Sequence, residues 1–271
     1  AAAALVVACL LAIGPARAAE PPPFTHAQLD QMLAPIALFP DALLSQVLMA
    51  ATYPDEFQQA AAWSKSNPDA KGDEAVTAVE SKGWDPSVAS LVAFPEVVVT
   101  LGEKPDYVKN LGDAFLAQPE DVMNSVQRLR AAAQKAGNLK SNEQIKVTVD
   151  PTPPLQQAVT PPATTTVVQA PPVTQTIIIE PAQPQVVYVP QYNPTVVYGT
   201  WWWPSYPPYY YPAPPGYWWS PVGGAVARGI AWGAGFAVGN ALWGGANWGR
   251  GGEGQRQNLQ NKAASTSREQ Y

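Results

Sequence analysis

Few side chains in this sequence have the types and spacing that catalysis requires. The carboxylate pairs Asp55/Glu56 and Glu120/Asp121 are the nearest match to the acid–base pairs of glycoside hydrolases. Each pair follows a proline at a predicted helix start, where the positive end of the helix dipole favours acidic residues. We therefore expect both pairs to stabilise helix termini. Of three functional hypotheses for this sequence, an envelope hydrolase is the third.

The sequence also has few side chains that could serve nucleophilic catalysis or bind a metal ion. His26 is the sole histidine and Cys9 the sole cysteine, so an ordinary zinc site or a Ser-His-Asp triad would depend on His26 alone. His26 is predicted to lie exposed in the first turn of the first helix. No glycine-rich phosphate loop follows a predicted strand. We predict a non-enzymatic protein with no catalytic residue, no cofactor or cofactor-binding residue, and no metal ligand.

The side chains that could bind a partner are aromatic. Residues 200–221 consist largely of tryptophan, tyrosine and proline. Tryptophan and tyrosine combine an apolar ring with a polar tip, so they favour membrane interfaces and polymer surfaces. The alternative is a low-complexity segment that packs poorly and has no specific partner. The candidate interface or stacking residues are Trp201, Trp202, Trp203, Tyr209, Tyr210, Tyr211, Trp218 and Trp219.

A small helical domain is predicted over residues 24–139, well before the aromatic segment. Thr25 and Gln28 have capping-box spacing, and Asp41 is predicted to cap a second helix that is apolar on nearly all sides and therefore buried. Gly137 is expected to end the last helix. Further helices are predicted to start at Pro54, Pro86, Pro95, Pro105 and Pro119, because proline is well tolerated in the first helical turn.

Two stretches of this domain are similar to each other. Residues 36–41 and 91–96 both end in Phe-Pro-acid and both precede a helix. We predict two related helix–turn–helix units packed on each other, with Phe39 and Phe94 in matching core positions. The alternative is that Phe-Pro-acid is a common helix junction.

Short strands are predicted after the helices. Residues 145–149 alternate apolar with polar and favour a strand, residues 150–174 form a Pro/Thr-rich linker, and residues 175–199 form a β meander with strands at 176–180, 185–189 and 195–198. A meander this small is marginal alone and should dock on the helical domain or on a partner. If the strand at 145–149 joins it, the linker is a loop of one composite domain.

The two ends of the chain have the composition of targeting and tail segments. Residues 1–19 are predicted to be a signal peptide, truncated at its N-terminus, with a small-residue cleavage site; Cys9 is either a lipidation site or an ordinary leader residue. Residues 222–249 are apolar and glycine-rich, with small-residue spacing that suits either membrane insertion or a flexible tail. Residues 250–271 are expected to be disordered.

Four segments carry a family resemblance. They are QLDQMLAPIALFPDALLSQVLMAATYP, WDPSVASLVAFPEVV, LGDAFLAQPEDVMNSVQRLR and VVYVPQYNPTVVYGTWWWP. In this order, from Phe24 to Trp203, they resemble the bacterial envelope family known as domain of unknown function 3300. The resemblance implies a secreted or envelope-associated protein and supplies no catalytic residues.

The net charge of −5 is unevenly distributed. From Arg228 onward five basic residues oppose two acidic ones, so the preceding part is acidic, which argues against nucleic-acid binding. We predict a mainly α protein: a small multi-helix domain with a minor β meander, then a largely disordered Pro/aromatic/Gly-rich C-terminal region that acts as attachment.

The favoured function is that of an exported envelope protein. Its helical domain would be tethered to a membrane, a cell-wall polymer or another envelope protein through the aromatic and glycine-rich segments. The alternative is a soluble periplasmic module that binds glycan or peptidoglycan. Both hypotheses place the chain in the periplasm or at the membrane of the cell envelope.

Overall fold

The computed structural model describes residues 23–151, 171–183, 186–211 and 228–231. Within these ranges the protein is mostly helical with a minor antiparallel β component, as the composition and periodicity predict. The predicted signal peptide at 1–19, most of the linker, and the tail at 250–271 lie outside the described residues.

Eight α-helices follow one another in the first described range. They are α1 (His26–Leu33), α2 (Asp41–Ala50), α3 (Pro54–Ser66), α4 (Gly72–Val79), α5 (Pro86–Leu91), α6 (Pro95–Gly102), α7 (Pro105–Ala117) and α8 (Pro119–Lys135). A 3₁₀ turn, Glu80–Lys82, follows α4.

Local sequence rules explain most of the helix boundaries. The five proline starts are confirmed, because the missing N–H of a proline would have no intrahelical partner in the first turn. The capping box of α1 is also confirmed: the Thr25 hydroxyl accepts from the Gln28 N–H at 3.3 Å, and Gln28 Oε1 accepts from the Thr25 N–H at 2.9 Å. Gly137 adopts a left-handed φ of 80° after α8, as a helix C-terminus favours.

One predicted cap is wrong. Pro40 occupies the N-cap position of α2, and Asp41 is its first helical residue. The Asp41 side chain is buried and pairs with Arg130 at 2.6 Å. The carboxylate therefore compensates a buried cation instead of capping its own helix.

Helix α2 is the centre of the core, in agreement with its apolar composition. Leu43, Leu44, Val47 and Leu48 are fully buried, and α2 packs against α5 and α7. Such a helix has no solvent face of its own, so the surrounding helices must cover it on all sides.

Two close helix crossings depend on glycine. A Cβ atom added at Gly112 of α7 would meet the backbone carbonyl of Ala51, and one added at Gly102 of α6 would meet the Cβ of Ala61 in α3. The glycines therefore allow two helix pairs to approach more closely than any side chain would permit.

The two similar stretches occupy comparable places. Phe39 and Phe94 are both buried, and each precedes a proline that is followed by a helix. Helix α3 of the first unit packs on α6 of the second, and α2 packs on α7. That the two units superpose stays a prediction.

The β-strands form two ribbons instead of a meander. Strand β1 (Ile145–Asp150) pairs antiparallel with β2 (Thr176–Pro181), and β3 (Val186–Val189) pairs antiparallel with β4 (Arg228–Ala231). The prediction of a third strand at 195–198 is wrong, because Pro194–Val197 is a short helix, α9. The Asn193 side chain accepts from the Thr195 N–H at 2.9 Å, and this cap overrides the strand preference of two valines.

The strands belong to the same core as the helices. Ile177, Ile179, Val187, Val189 and Tyr198 are buried in one cluster with the helical side chains. The expectation that the bundle alone carries the fold, with nearly all residues after 150 as attachment, is therefore wrong for these strands. Strand β1 joins β2, as the alternative of a composite domain requires.

The edge of β2 that does not pair with β1 is bound by side chains of α8. Gln127 Oε1 accepts from the Ile177 N–H at 2.7 Å and Gln127 Nε2 donates to the Ile177 carbonyl at 3.2 Å. The amide of Gln127 thus replaces the backbone of a neighbouring strand. This contact gives β2 a defined position on α8, which a free two-stranded ribbon would lack.

No helix in the described ranges is long and apolar enough to cross a bilayer. Within the glycine-rich segment 222–249, the structure describes Arg228–Ala231 only, and these residues form β4. The remaining residues of the segment lie outside the described part.

Candidate functional site

Residues 201–211, here called the aromatic strap, lie across α1 and α7. The strap has little regular structure of its own, and Pro204, Pro207 and Pro208 have no N–H group for a backbone ladder. Its position must therefore come from side chains and from a few isolated backbone bonds. Those contacts are made mainly by two consecutive residues of α1, Asp30 and Gln31.

Asp30 is a fully buried carboxylate that binds the first part of the strap. Its Oδ2 accepts from the indole N–H of Trp202 at 2.9 Å and from that of Trp203 at 2.7 Å. Its Oδ1 accepts from the Ser125 hydroxyl at 2.5 Å and from Arg128 Nη2 at 2.8 Å. An arginine thus lies beside the carboxylate, and each of its oxygens accepts at least two hydrogen bonds.

Gln31 binds the second part of the strap. Its Nε2 donates to the Pro207 carbonyl at 2.7 Å, and its backbone carbonyl accepts from the Tyr209 N–H at 3.2 Å. Between the two attachments, the indole N–H of Trp201 donates to the Tyr206 carbonyl at 2.9 Å and closes the turn of the strap.

A half-open groove of about 430 Å³ lies between the strap and the helices. This volume is within the range of small-ligand sites, about 300–1,000 Å³. The strap forms one wall with three tyrosines, and α1, α7 and the residues before them form the floor and the other wall. Most of the lining consists of aromatic, apolar and amide side chains: Phe24, Gln28, Gln31, Met32, Tyr107, Asn110, Tyr206, Tyr209 and Tyr211. Three charged side chains, Glu103, Lys104 and Asp106, also line the groove.

We call this cavity the tyrosine groove. In it the ring of Tyr107 packs edge to face against the rings of Tyr209 and Tyr211. The Tyr107 ring centroid lies 6.1 Å from that of Tyr209 and 5.2 Å from that of Tyr211, with interplanar angles of 78° and 73°. Such T-shaped contacts are the favoured geometry of aromatic pairs. They hold the rings in a defined arrangement, while Tyr209 remains 41% exposed.

Two phenols of the groove, on α7 and on the strap, are uncharged at neutral pH. Burial raises the pKa of Tyr107 well above its ordinary value, and burial is also the main cause of the raised pKa of Tyr211. The Tyr107 hydroxyl donates to the Met32 carbonyl at 3.1 Å. The groove therefore presents neutral aromatic surface beside the amide groups of Gln28, Gln31 and Asn110.

One carboxylate of each sequence pair has a structural partner at a helix terminus. Glu56 Oε2 accepts from the Asp85 N–H at 2.6 Å. Asp121 accepts from Gln118 at 3.1 Å and lies 3.7 Å from His26, and this contact with His26 is the main cause of its lowered pKa. These contacts stabilise helix termini, as the positions of the pairs after proline predict.

The predicted aromatic residues fall into separate groups. Tyr209 and Tyr211 line the groove, whereas Tyr210 is exposed and does not line it. Trp201, Trp202 and Trp203 are half-buried and hold the strap. Trp218 and Trp219 lie outside the described residues.

Sequence reasoning missed the helical half of the groove. Tyr107 and Asn110 lie one turn apart on α7 and Gln28 and Gln31 one turn apart on α1, a spacing that places each pair on one helix face. That spacing was the available signal, but it does not show that the two helices face each other. In the described part of the chain, no group of three or more His, Cys, Asp or Glu side chains could hold a metal ion.

Comparison with known proteins identifies a family and one curated relative. The family model described as "Protein of unknown function (DUF3300)" matches residues 25–271. The Escherichia coli K12 protein described as "Uncharacterized protein YacH" is 50% identical over 234 residues, which cover 83% of this chain and 37% of that protein. The chain thus spans little more than a third of the relative's length. No solved structure matches the chain.

Proposed function

The chain belongs to the family Protein of unknown function (DUF3300), and we propose that it is a non-enzymatic, exported protein of the bacterial envelope that binds cell-wall glycan in the tyrosine groove. The observation that carries the proposal is the combination, in one groove, of exposed tyrosine rings with side-chain amides. The leader-like residues 1–19 support export to the periplasm.

A neutral sugar polymer suits the chemistry of the groove. Sugar rings have an apolar C–H face that packs on aromatic rings, and hydroxyl and acetamido groups at their edges. The amides of Gln28, Gln31 and Asn110 offer both donors and acceptors for those groups. The charged side chains Glu103, Lys104 and Asp106 in the lining add hydrogen-bonding groups for sugar hydroxyls.

The experiment is a sedimentation assay with insoluble peptidoglycan and the purified full chain. Tyr209→Ala removes an exposed ring from the groove, whereas Tyr210→Ala removes the neighbouring ring, which is equally exposed at 41% and lies outside the lining. We expect Tyr209→Ala to weaken retention about tenfold, as loss of an aromatic anchor usually does, and Tyr210→Ala to bind like the unchanged chain. Absence of retention by the unchanged chain, or equal retention of the two variants, would refute the proposal.

Membrane attachment is the competing role. It rests on the small-residue spacing of the 222–249 segment, and β4 takes four residues of that segment into a strand. Osmotic shock of cells separates the two roles. Release of the protein in soluble form supports the glycan-binding module, and retention in the membrane fraction after peptidoglycan digestion supports the tether.

A further inference from the structure

The two sides of the tyrosine groove differ in how they are held in place: one is part of a helix and the other is not. Tyr107 and Asn110 lie on α7, inside the helical bundle. Tyr206, Tyr209 and Tyr211 lie on the aromatic strap, outside regular secondary structure. The strap wall therefore keeps its place only as long as its attachments to the bundle persist.

Asp30, which binds the strap, is itself held in place by hydrogen bonds from α8. Both oxygens are oriented from α8, by the Ser125 hydroxyl at 2.5 Å and by Arg128 Nη2 at 2.8 Å and Nε at 3.4 Å. Hydrogen bonds to a charged group are stronger than those between neutral groups. The two indole N–H groups of the strap therefore meet an acceptor that is both charged and held in place.

We propose that Asp30 is the positioning residue of the tyrosine groove, which sets the place of the strap through Trp202 and Trp203 and thereby the place of Tyr209 and Tyr211. This inference rests on the proposed function for its consequence, because the tyrosines are the residues that would contact the sugar. Asp30 itself is fully buried and does not line the groove. Asp30 would affect ligand binding only by fixing the position of the strap.

The indole N–H groups can be removed while an aromatic ring is kept at each position. The double variant Trp202→Phe/Trp203→Phe leaves Asp30, Ser125 and Arg128 in place and deletes the two indole donors to Oδ2 together with part of each ring. Trp84→Phe is the matched control, because its indole donates at 3.1 Å to Gln59 on the exposed surface, away from the strap.

Hydrogen exchange measures the position of the strap directly. The Tyr206 N–H bonds to the Trp203 carbonyl at 3.0 Å and the Tyr209 N–H to the Gln31 carbonyl at 3.2 Å. We expect exchange at both groups to be about tenfold faster in the double variant and unchanged in Trp84→Phe, since the loss of bonds to a charged acceptor lowers the free energy of local opening. Unchanged exchange at both groups in the double variant would overturn the inference, whatever the chain binds.

Affinity for a soluble N-acetylglucosamine oligomer is the second readout. Calorimetry should show binding weakened about tenfold in the double variant and unchanged in Trp84→Phe. Faster exchange with unchanged affinity would overturn the inference, and so would weaker affinity with unchanged exchange, which would assign the tryptophan rings to direct ligand contact. Absence of binding by the unchanged chain refutes the proposed function instead.

A milder variant covers the case in which the double variant does not fold. Trp203→Phe alone keeps the bond from Trp202 to Asp30. It should accelerate exchange at Tyr206 and Tyr209 by a smaller factor in a chain with unchanged far-UV circular dichroism. Exchange identical to that of the unchanged chain would count against Asp30.

Discussion

Arg130 Nη1 lies 2.6 Å from Asp41 Oδ1, and both side chains are buried. The other guanidinium bonds go to backbone carbonyls: Nε donates to Ala37 at 2.8 Å, Nη2 to Phe39 at 3.0 Å and Nη1 to Ile177 at 2.9 Å. One side chain of α8 thus connects the turn before α2, the start of α2 and strand β2. The residues it joins are as much as 93 positions away in sequence.

Arg130→Met should destabilise the fold strongly. The variant retains an apolar side chain but leaves the Asp41 carboxylate without its counter-charge and the carbonyls of Ala37 and Phe39 without this donor, and removal of one partner of a buried ion pair costs about 3–5 kcal/mol. Denaturant unfolding monitored by circular dichroism measures the change. Lys135→Met, on the exposed end of the same helix, should change the free energy of unfolding by less than about 0.5 kcal/mol. Similar changes in the two variants would contradict the prediction.

Asp41→Asn should alter the pH dependence of stability. Burial raises the pKa of Asp41 from 3.8 to about 6, despite the opposing effect of Arg130. Between these two pH values the folded state binds more protons than the unfolded state, so the contribution of Asp41 to stability is largest below about pH 4 and is lost as the pH rises through about 6. A shift of this size corresponds to about 3 kcal/mol.

The measurement is the free energy of unfolding at several pH values between 4 and 7. Stability of the unchanged chain relative to Asp41→Asn should fall as the pH rises across this window. Asp121→Asn provides the control, because the contact with His26 lowers the pKa of Asp121 below its ordinary value of 3.8. The contribution of Asp121 is lost only as the pH falls below about 4, so its removal should not change the slope between pH 4 and 7. Parallel curves for the unchanged chain and Asp41→Asn would contradict the prediction.

Gln127→Ala should loosen strand β2. It leaves the buried N–H of Ile177 without its acceptor, and an unsatisfied buried donor costs about 1–3 kcal/mol. Gln134→Ala is the control on the same helix, because the Gln134 amide bonds to the half-buried side chain of Gln175 instead of to a strand. Denaturant titration should rank the two variants in this order, and an equal loss in both would contradict the role assigned to Gln127.

Gly112→Ala should destabilise the protein although alanine favours helices by about 1 kcal/mol over glycine. The new methyl group would meet the carbonyl of Ala51, and overpacking of this kind costs about 1–3 kcal/mol. Gly83→Ala is the comparison, because no atom lies within 4 Å of the added Cβ and only the left-handed φ of 70° opposes it. A thermal melt in which Gly112→Ala is more stable than the unchanged chain would contradict the close crossing.

The helix starts could be predicted because their causes are local. Proline in the first turn and the reciprocal Thr25/Gln28 cap involve residues within one turn of each other, so their effect does not depend on the remainder of the chain. The same local reasoning failed at residues 195–198, where β-branched side chains favoured a strand and the Asn193 cap produced a helix.

The sequence by itself determined the helical class of the protein, most of its helix boundaries, and the presence of an aromatic segment that could bind a polymer. Only the tertiary structure decided that Asp30 and Arg130 lie in the interior, that β2 is bound by helix side chains, and that strap tyrosines face Tyr107 across a groove. The physical reason is sequence separation. These contacts join residues 47 to 173 positions apart, and a spacing rule that covers one helical turn or one strand carries no information about which distant segments meet.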